Sequence, residues 1–142
     1  MKITSRHVTN CYQSVVDNGR HHGLVLDLPE AKSGDDVGPT ALELAAMALA
    51  GCVSTIWAVV AKNSKCSYRK MIVELDIEKP DSAPTFTEGK VVVSIDSDEE
   101  QEKLERILEK TMKACPVGRL FEQAGIELPT TVVKKDLLET KV

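Results

Sequence analysis

The stretch Thr40–Ala61, TALELAAMALAGCVSTIWAVVA, decides how the rest of the 142-residue chain is read. Gly38-Pro39 breaks the preceding segment, Thr40 is a capping residue, and Glu43 follows three positions later. This T-x-x-E pattern is a capping box, in which two side chains satisfy backbone N–H groups that lack partners at a helix start. From Leu44 to Ala61 no residue carries a formal charge, and Cys52 falls in the middle. A helix apolar on every side must be buried, either in lipid or in the centre of a domain. Its length just reaches that of a membrane span. Two features argue against a span: the run is rich in Ala, Gly, Ser and Thr, and Asp35-Asp36 make its N-terminal flank acidic. Small residues instead suit a helix that other elements approach closely, so a central helix over 40–63 is expected.

Upstream, Lys2–Val8 and Cys11–Asp17 are rich in Ile, Val, Thr and Tyr and read as strands. Asp17-Asn18-Gly19 predicts a tight type I′ hairpin turn, because Asn and Gly tolerate positive φ. His22–Leu28 returns as a third strand that Pro29 stops, and Glu30–Gly38 is a polar loop. Downstream, Tyr68–Lys79 alternates, with Met71, Val73, Leu75 and Ile77 on one face and Glu74, Asp76 and Glu78 on the other. That period of two marks a half-buried strand. Phe86–Ile95 is the next, with Val91, Val93 and Ile95 inward. Ser97 and Glu100 suggest a second capping box opening a helix over 98–114. Its apolar stripe runs through Leu104, Ile107, Leu108, Thr111, Met112 and Cys115. Pro116 suits the first position of a further short helix, 116–124, which Gly125 ends. Glu127–Lys135 is a last strand, placed at an edge or bulge by Pro129. The expected architecture is α+β with mainly antiparallel strands, in the order βββ-α-ββ-αα-β. It is one domain made of N-terminal strands (1–39), the central helix, a strand and helix unit (68–135) and a polar tail (136–142). A central helix so apolar on a small protein predicts an extensive homodimer interface.

A chain of this length can bury about two-thirds of its unfolded surface. Net charge is −4 and no Lys/Arg run occurs, so nucleic acid and anionic membrane are poor partners. Met1-Lys2 leads into polar, strand-like sequence rather than an apolar signal segment, which implies a cytoplasmic protein. Cys11, Cys52, Cys66 and Cys115 are widely separated and His7, His21 and His22 form no close ligand pairs with them. No structural metal site is expected on that spacing. In a reducing compartment these thiols rest free, and any disulfide is transient.

Cys115 is the more informative thiol. With Pro116 as first helical residue, Cys115 stands at the N-cap, facing free N–H groups and the positive end of the helix dipole, with Lys113 and Arg119 nearby. That setting favours thiolate; the plainer alternative is that Cys115 completes an apolar stripe. Cys52, in apolar mid-helix, reads first as a small buried hydrophobe. If the two helices pack face to face, however, the sulfurs fall within disulfide reach. Cys11 (strand) and Cys66 (loop) read as bystanders. Glu43 is a candidate catalytic carboxylate, but nine residues at about 100° each set it roughly opposite Cys52, and capping explains it. Trp57 reads as core or dimer contact, and Gly51 as a point of close approach. His21 and His22 are candidate bases beside a turn, with surface histidine as the alternative.

With both cysteines placed, the chain resembles the OsmC/Ohr family of thiol peroxidases. The resemblance rests on GPTALELAAMALAGC (Gly38–Cys52) and KACPVGRLFEQAGIE (Lys113–Glu127) and extends over nearly the whole chain. It implies an intertwined homodimer reducing organic hydroperoxides or hydrogen peroxide, without metal or flavin. Cys52 would be the peroxidatic thiolate and Cys115 the resolving thiol, with a lipoyl-type dithiol as reductant. Peroxidase members pair an Arg in the loop after the first strand with a Glu before the reactive Cys. Here Val8–Tyr12 holds no Arg; Arg6 and Arg20 are the nearest, which makes Arg20 and Glu43 the candidate partners of Cys52.

Two other functions fit the same residues. One is a non-enzymatic dimer that binds a small apolar or electrophilic ligand between its helices. The other is a cysteine hydrolase or acyl transferase using His21 or His22 as base, for which no oxyanion motif is visible.

Overall fold

The computed structural model describes residues 1–137; the expected tail over 136–142 lies outside the described residues from position 138 on. Three strands, β1 (Thr4–His7), β2 (Ser14–Asp17) and β3 (Gly23–Leu26), precede a long helix, α1 (Ala41–Asn63). Then follow β4 (Lys70–Glu78), β5 (Glu88–Asp96), α2 (Gln101–Ala114), α3 (Pro116–Gln123) and β6 (Thr130–Lys134). The α+β class and the element order are those read from the sequence. Two compact units divide the chain, one covering 1–45 and the other beginning at Ala46.

The first unit is an antiparallel meander in the order β1-β2-β3. Its second connection is not the tight turn expected. Asp17 pairs with Gly23, leaving five residues between the strands. The Asp17 and Asn18 side chains explain the longer loop: their Oδ1 atoms accept the backbone N–H groups of Gly19 and Arg20. Such side-chain bonds let Asp and Asn divert the backbone from a two-residue turn. Cys11 lies in the loop between β1 and β2 rather than in a strand, its thiol donating to the Val8 carbonyl at 3.4 Å. Beyond β3 the chain is organised by Asp27, which is buried. Its carboxylate accepts the N–H groups of Leu28, Asp35 and Val37 and so holds the loop that leads to α1. Burial pushes this carboxyl up, but the three N–H bonds outweigh it and hold it below the usual range.

α1 starts as predicted. The Thr40 N–H donates to Glu43 Oε2 at 2.7 Å and the Glu43 N–H donates to Thr40 Oγ1 at 3.2 Å, completing the capping box. Farther along, Leu49, Val53, Trp57 and Ala61 are fully buried. Their four-residue spacing is the inner stripe of a helix.

In the second unit the sheet order is β4-β5-β6, antiparallel between β4 and β5 and parallel between β5 and β6. Val91, Val93 and Ile95 are completely buried, as their alternation requires. β6 is an edge strand, and Pro129 before it only accepts, from the Val91 N–H. α2 begins three residues later than expected because Ser97 is otherwise engaged. Its hydroxyl donates to the Ser67 carbonyl at 2.6 Å and accepts the Glu99 N–H, leaving Glu100 as a cap without a side-chain bond. α2 packs on β6, with the Gln101 amide donating to the Val132 carbonyl. α3 is fixed by Phe121, whose ring stacks on Phe86 at 6.0 Å.

Candidate functional site: a cysteine pair

Cys52 and Cys115, 63 positions apart in sequence, meet inside the second unit. The Cys115 thiol donates to Cys52 Sγ across 2.9 Å. A disulfide bond is about 2.05 Å long, so closure asks the sulfurs to approach by less than 1 Å. All four cysteines are reduced thiols.

Each sulfur is placed by a local rule. Pro116 occupies the first position of α3, where its missing N–H costs nothing. Cys115 is thereby the N-cap in extended conformation, and its Sγ accepts the N–H of Gly118 at 3.3 Å. Cys52 is carried on α1 one residue before the buried Val53 and is itself half-buried, whereas Cys115 is entirely buried.

Burial reverses the electrostatics that the helix start had suggested. It pushes the Cys115 thiol from 9.0 up to about 11; the hydrogen bond to Cys52 pushes the same way, and the Gly118 N–H pulls back by less. The two cations expected to favour thiolate are spent within their own helices. Lys113 pairs with Glu109 at 2.5 Å and Arg119 with Glu122 at 2.6 Å. Cys115 is thus a protonated donor.

The remaining candidates have partners or settings of their own. Glu43 belongs to the first unit, its carboxylate held below the usual range by the Thr40 N–H and hydroxyl. Arg20 lies in the β2–β3 connection, also in the first unit, and Arg6 is paired with Asp17. His21 and His22 are exposed in that connection, His21 with φ 132°. Cys66 is buried after α1, and burial, then the nearby Glu99, raises its thiol. Trp57 is core. A Cβ on Gly51 would meet nothing within 4 Å, so the chain's own packing does not demand that glycine. Gly118 was not singled out from the sequence, although Pro at the first helical position makes it the residue whose N–H faces the cap.

A family model described as OsmC-like protein matches residues 33–131. No curated protein gives a significant match. Among solved structures, an OsmC-like protein from Mycoplasma pneumoniae superposes with a TM-score of 0.82 at 13% identity, covering 95% of this chain and 96% of that one. An organic hydroperoxide resistance protein OsmC from Legionella pneumophila gives 0.70 at 17% identity, covering 92% and 94%. The organic hydroperoxide resistance protein OhrB of Bacillus subtilis gives 0.66 at 17% identity, covering 93% and 96%. At these identities the likeness is one of fold.

Proposed function

This chain belongs to the OsmC-like protein family, and from that membership we propose that it reduces organic hydroperoxides or hydrogen peroxide with Cys52 and Cys115. The thiolate of Cys52 attacks one oxygen of the O–O bond, the alcohol or water departs, and Cys52 becomes a sulfenic acid. Cys115 then attacks that sulfur, water leaves, and a disulfide joins the pair. An external dithiol, of lipoyl type by family resemblance, returns both to thiols. Two electrons pass from the dithiol to the peroxide in each cycle, and no metal or flavin takes part.

The observation that carries this reading is the 2.9 Å approach of two sulfurs on different helices. Their unequal settings support the division of roles. Cys52 is half-buried and reachable, whereas Cys115 is sealed and donates its proton toward Cys52. Relatives of the same fold that are named organic hydroperoxide resistance proteins support the substrate class. We take the working form to be a cytoplasmic homodimer.

The test is stoichiometric. Equimolar cumene hydroperoxide should remove two hydrogens from the intact mass and leave a Cys52–Cys115 cross-link in the peptide map. Retention of both free thiols after exposure to excess peroxide would refute the proposal.

A further inference from the structure

A cleft of about 740 Å³ lies between the C-terminal end of α2, α3 and the segment entering β6. Met112, Gly118, Arg119, Ile126, Leu128 and Thr130 are among its walls. One of these, Gly118, adjoins the buried sulfur of Cys115, and Met112 lies beside Gly118. The Gly118 N–H donates to the sulfur at 3.3 Å. A Cβ on Gly118 would sit 3.5 Å from that sulfur and 3.7 Å from Met112 Cε. Gly118 lies in a helix without a positive φ, so its contribution is the absent side chain. Cys115 itself is not on the wall, but Gly118, which touches its sulfur, and Met112, whose thioether re-packs readily, both are. The charges on the wall are largely answered within their own helices, Lys113 by Glu109 and Arg119 by Glu122. With Met112, Ile126, Leu128 and Pro129 this makes a space of ordinary ligand size for a small, uncharged, partly apolar molecule. Cys52 is not part of its wall.

We propose that this cleft admits the reducing dithiol and that the dithiol attacks Cys115, not Cys52, in the disulfide; the inference rests on the two-cysteine reading above. One thiolate of the reductant bonds to Cys115 Sγ as the Cys52–Cys115 bond breaks, and Cys52 departs as thiolate and takes up a proton. The second thiol of the reductant then attacks its own sulfur in the mixed disulfide. Cys115 leaves and is protonated, and the reductant departs as a cyclic disulfide. Two electrons pass from dithiol to protein. Exchange is faster when the expelled sulfur is the better leaving group. Burial that holds the Cys115 thiol at about 11 makes it a poor one, so attack on Cys115 spares the bimolecular step from expelling it and leaves that expulsion to the intramolecular step, in which the reductant's second thiol is already in place. Peroxide and reductant therefore reach different sulfurs by different routes.

The disulfide for the test is made with diamide, which requires no peroxide chemistry, so a failure of the peroxidase reading is scored separately. Oxidised wild-type protein is mixed briefly with 2-mercaptoethanol, quenched with excess N-ethylmaleimide and mapped by mass spectrometry. The expected product carries mercaptoethanol on Cys115 and maleimide on Cys52, in at least tenfold excess over the reverse. The reverse pattern, or equal shares, overturns the assignment, as does failure of diamide to join the two cysteines. Independently, Glu127→Trp, at an exposed position on the cleft wall, should slow reduction of the disulfide by dihydrolipoamide at least fivefold. An unchanged rate in a folded Glu127→Trp variant removes the cleft as the route.

Discussion

Cys115 donates its thiol hydrogen to Cys52 at 2.9 Å while its own sulfur accepts the Gly118 N–H at 3.3 Å. One side chain is thus both a helix cap and a donor to the second thiol. A helix N-terminus on its own favours thiolate, yet here removal from water outweighs the N–H groups of Gly118 and Val117. Two residues of one type thus sit in unlike settings, set by depth and not by residue type.

Cys115→Ser should stop the cycle after its first step. Cys52 would still meet peroxide, but its sulfenic acid would have no partner and would accumulate. A dimedone adduct on Cys52, near stoichiometric in the variant and scarce in the wild type, is the expected mass-spectrometric result. Cys52→Ser should give no adduct at Cys115 at all. An equal dimedone yield in wild type and Cys115→Ser would remove Cys115 from the resolving role.

The buried thiol also makes stability depend on pH in one direction. Below pH 9 Cys115 is protonated in both folded and unfolded chains and contributes no slope. Between 9 and about 11 the unfolded chain ionises it while the folded chain does not, so the folded state is progressively penalised as pH rises. The full penalty is on the order of 3 kcal/mol, since each pH unit of displacement corresponds to about 1.4 kcal/mol. Urea midpoints at pH 8 and pH 10.5 should therefore differ more for the wild type than for Cys115→Ala. Parallel pH profiles for the two proteins would show that burial does not govern this thiol.

Much of this was legible in the chain itself, and the exceptions share a cause. Gly38-Pro39, Thr40 and Glu43 announce α1, and Pro116 announces α3, because caps and breakers act over three or four residues. The alternation of β4 and β5 and the stripe of α2 are equally local. What local pattern could not supply is competition from distant partners. Ser97 looks like a cap until Ser67, thirty residues away, takes its hydroxyl hydrogen. Cys115 looks like a thiolate until burial and Cys52 are counted. The parallel pairing of β6 with β5 and the cleft beside Gly118 likewise exist only once separate elements have met. Asp27 left one faint signal, an acidic residue at the end of a strand before a loop with two glycines.

Glu43 offers a clean separation of capping from catalysis. Both cap bonds form with Thr40, and loss of a Thr cap costs typically about 1 kcal/mol. Thr40→Ala should lower stability by that order and leave the rate of peroxide consumption at 25 °C unchanged. Glu43→Gln keeps an oxygen that can accept the Thr40 N–H, so a pure cap predicts little effect on either measurement. A tenfold loss of Cys52 oxidation rate in Glu43→Gln, with stability retained, would instead assign its charge to the reaction.

The homodimer is tested most directly on the face of α1 that its own chain leaves open. Leu49, Val53, Trp57 and Ala61 form the buried stripe. Met47, Gly51, Thr55 and Val59 form a second stripe offset by two residues, hence about 200° round the helix. Met47 is 56% and Val59 50% exposed, and Gly51 has open space beside it. Apolar residues at full helical periodicity opposite a core stripe suit a second helix, and a glycine among them permits close approach. Burying one valine contributes about 1.5–3 kcal/mol, and a two-fold interface presents each residue twice. Val59→Asp should therefore weaken association by at least about 3 kcal/mol, roughly a hundredfold or more in Kd. Sedimentation equilibrium should find wild type as a dimer and Val59→Asp shifted to monomer at micromolar concentration. A wild-type monomer, or a dimer indifferent to this charge, would place the contact on another surface and leave the apolar face of α1 without its partner.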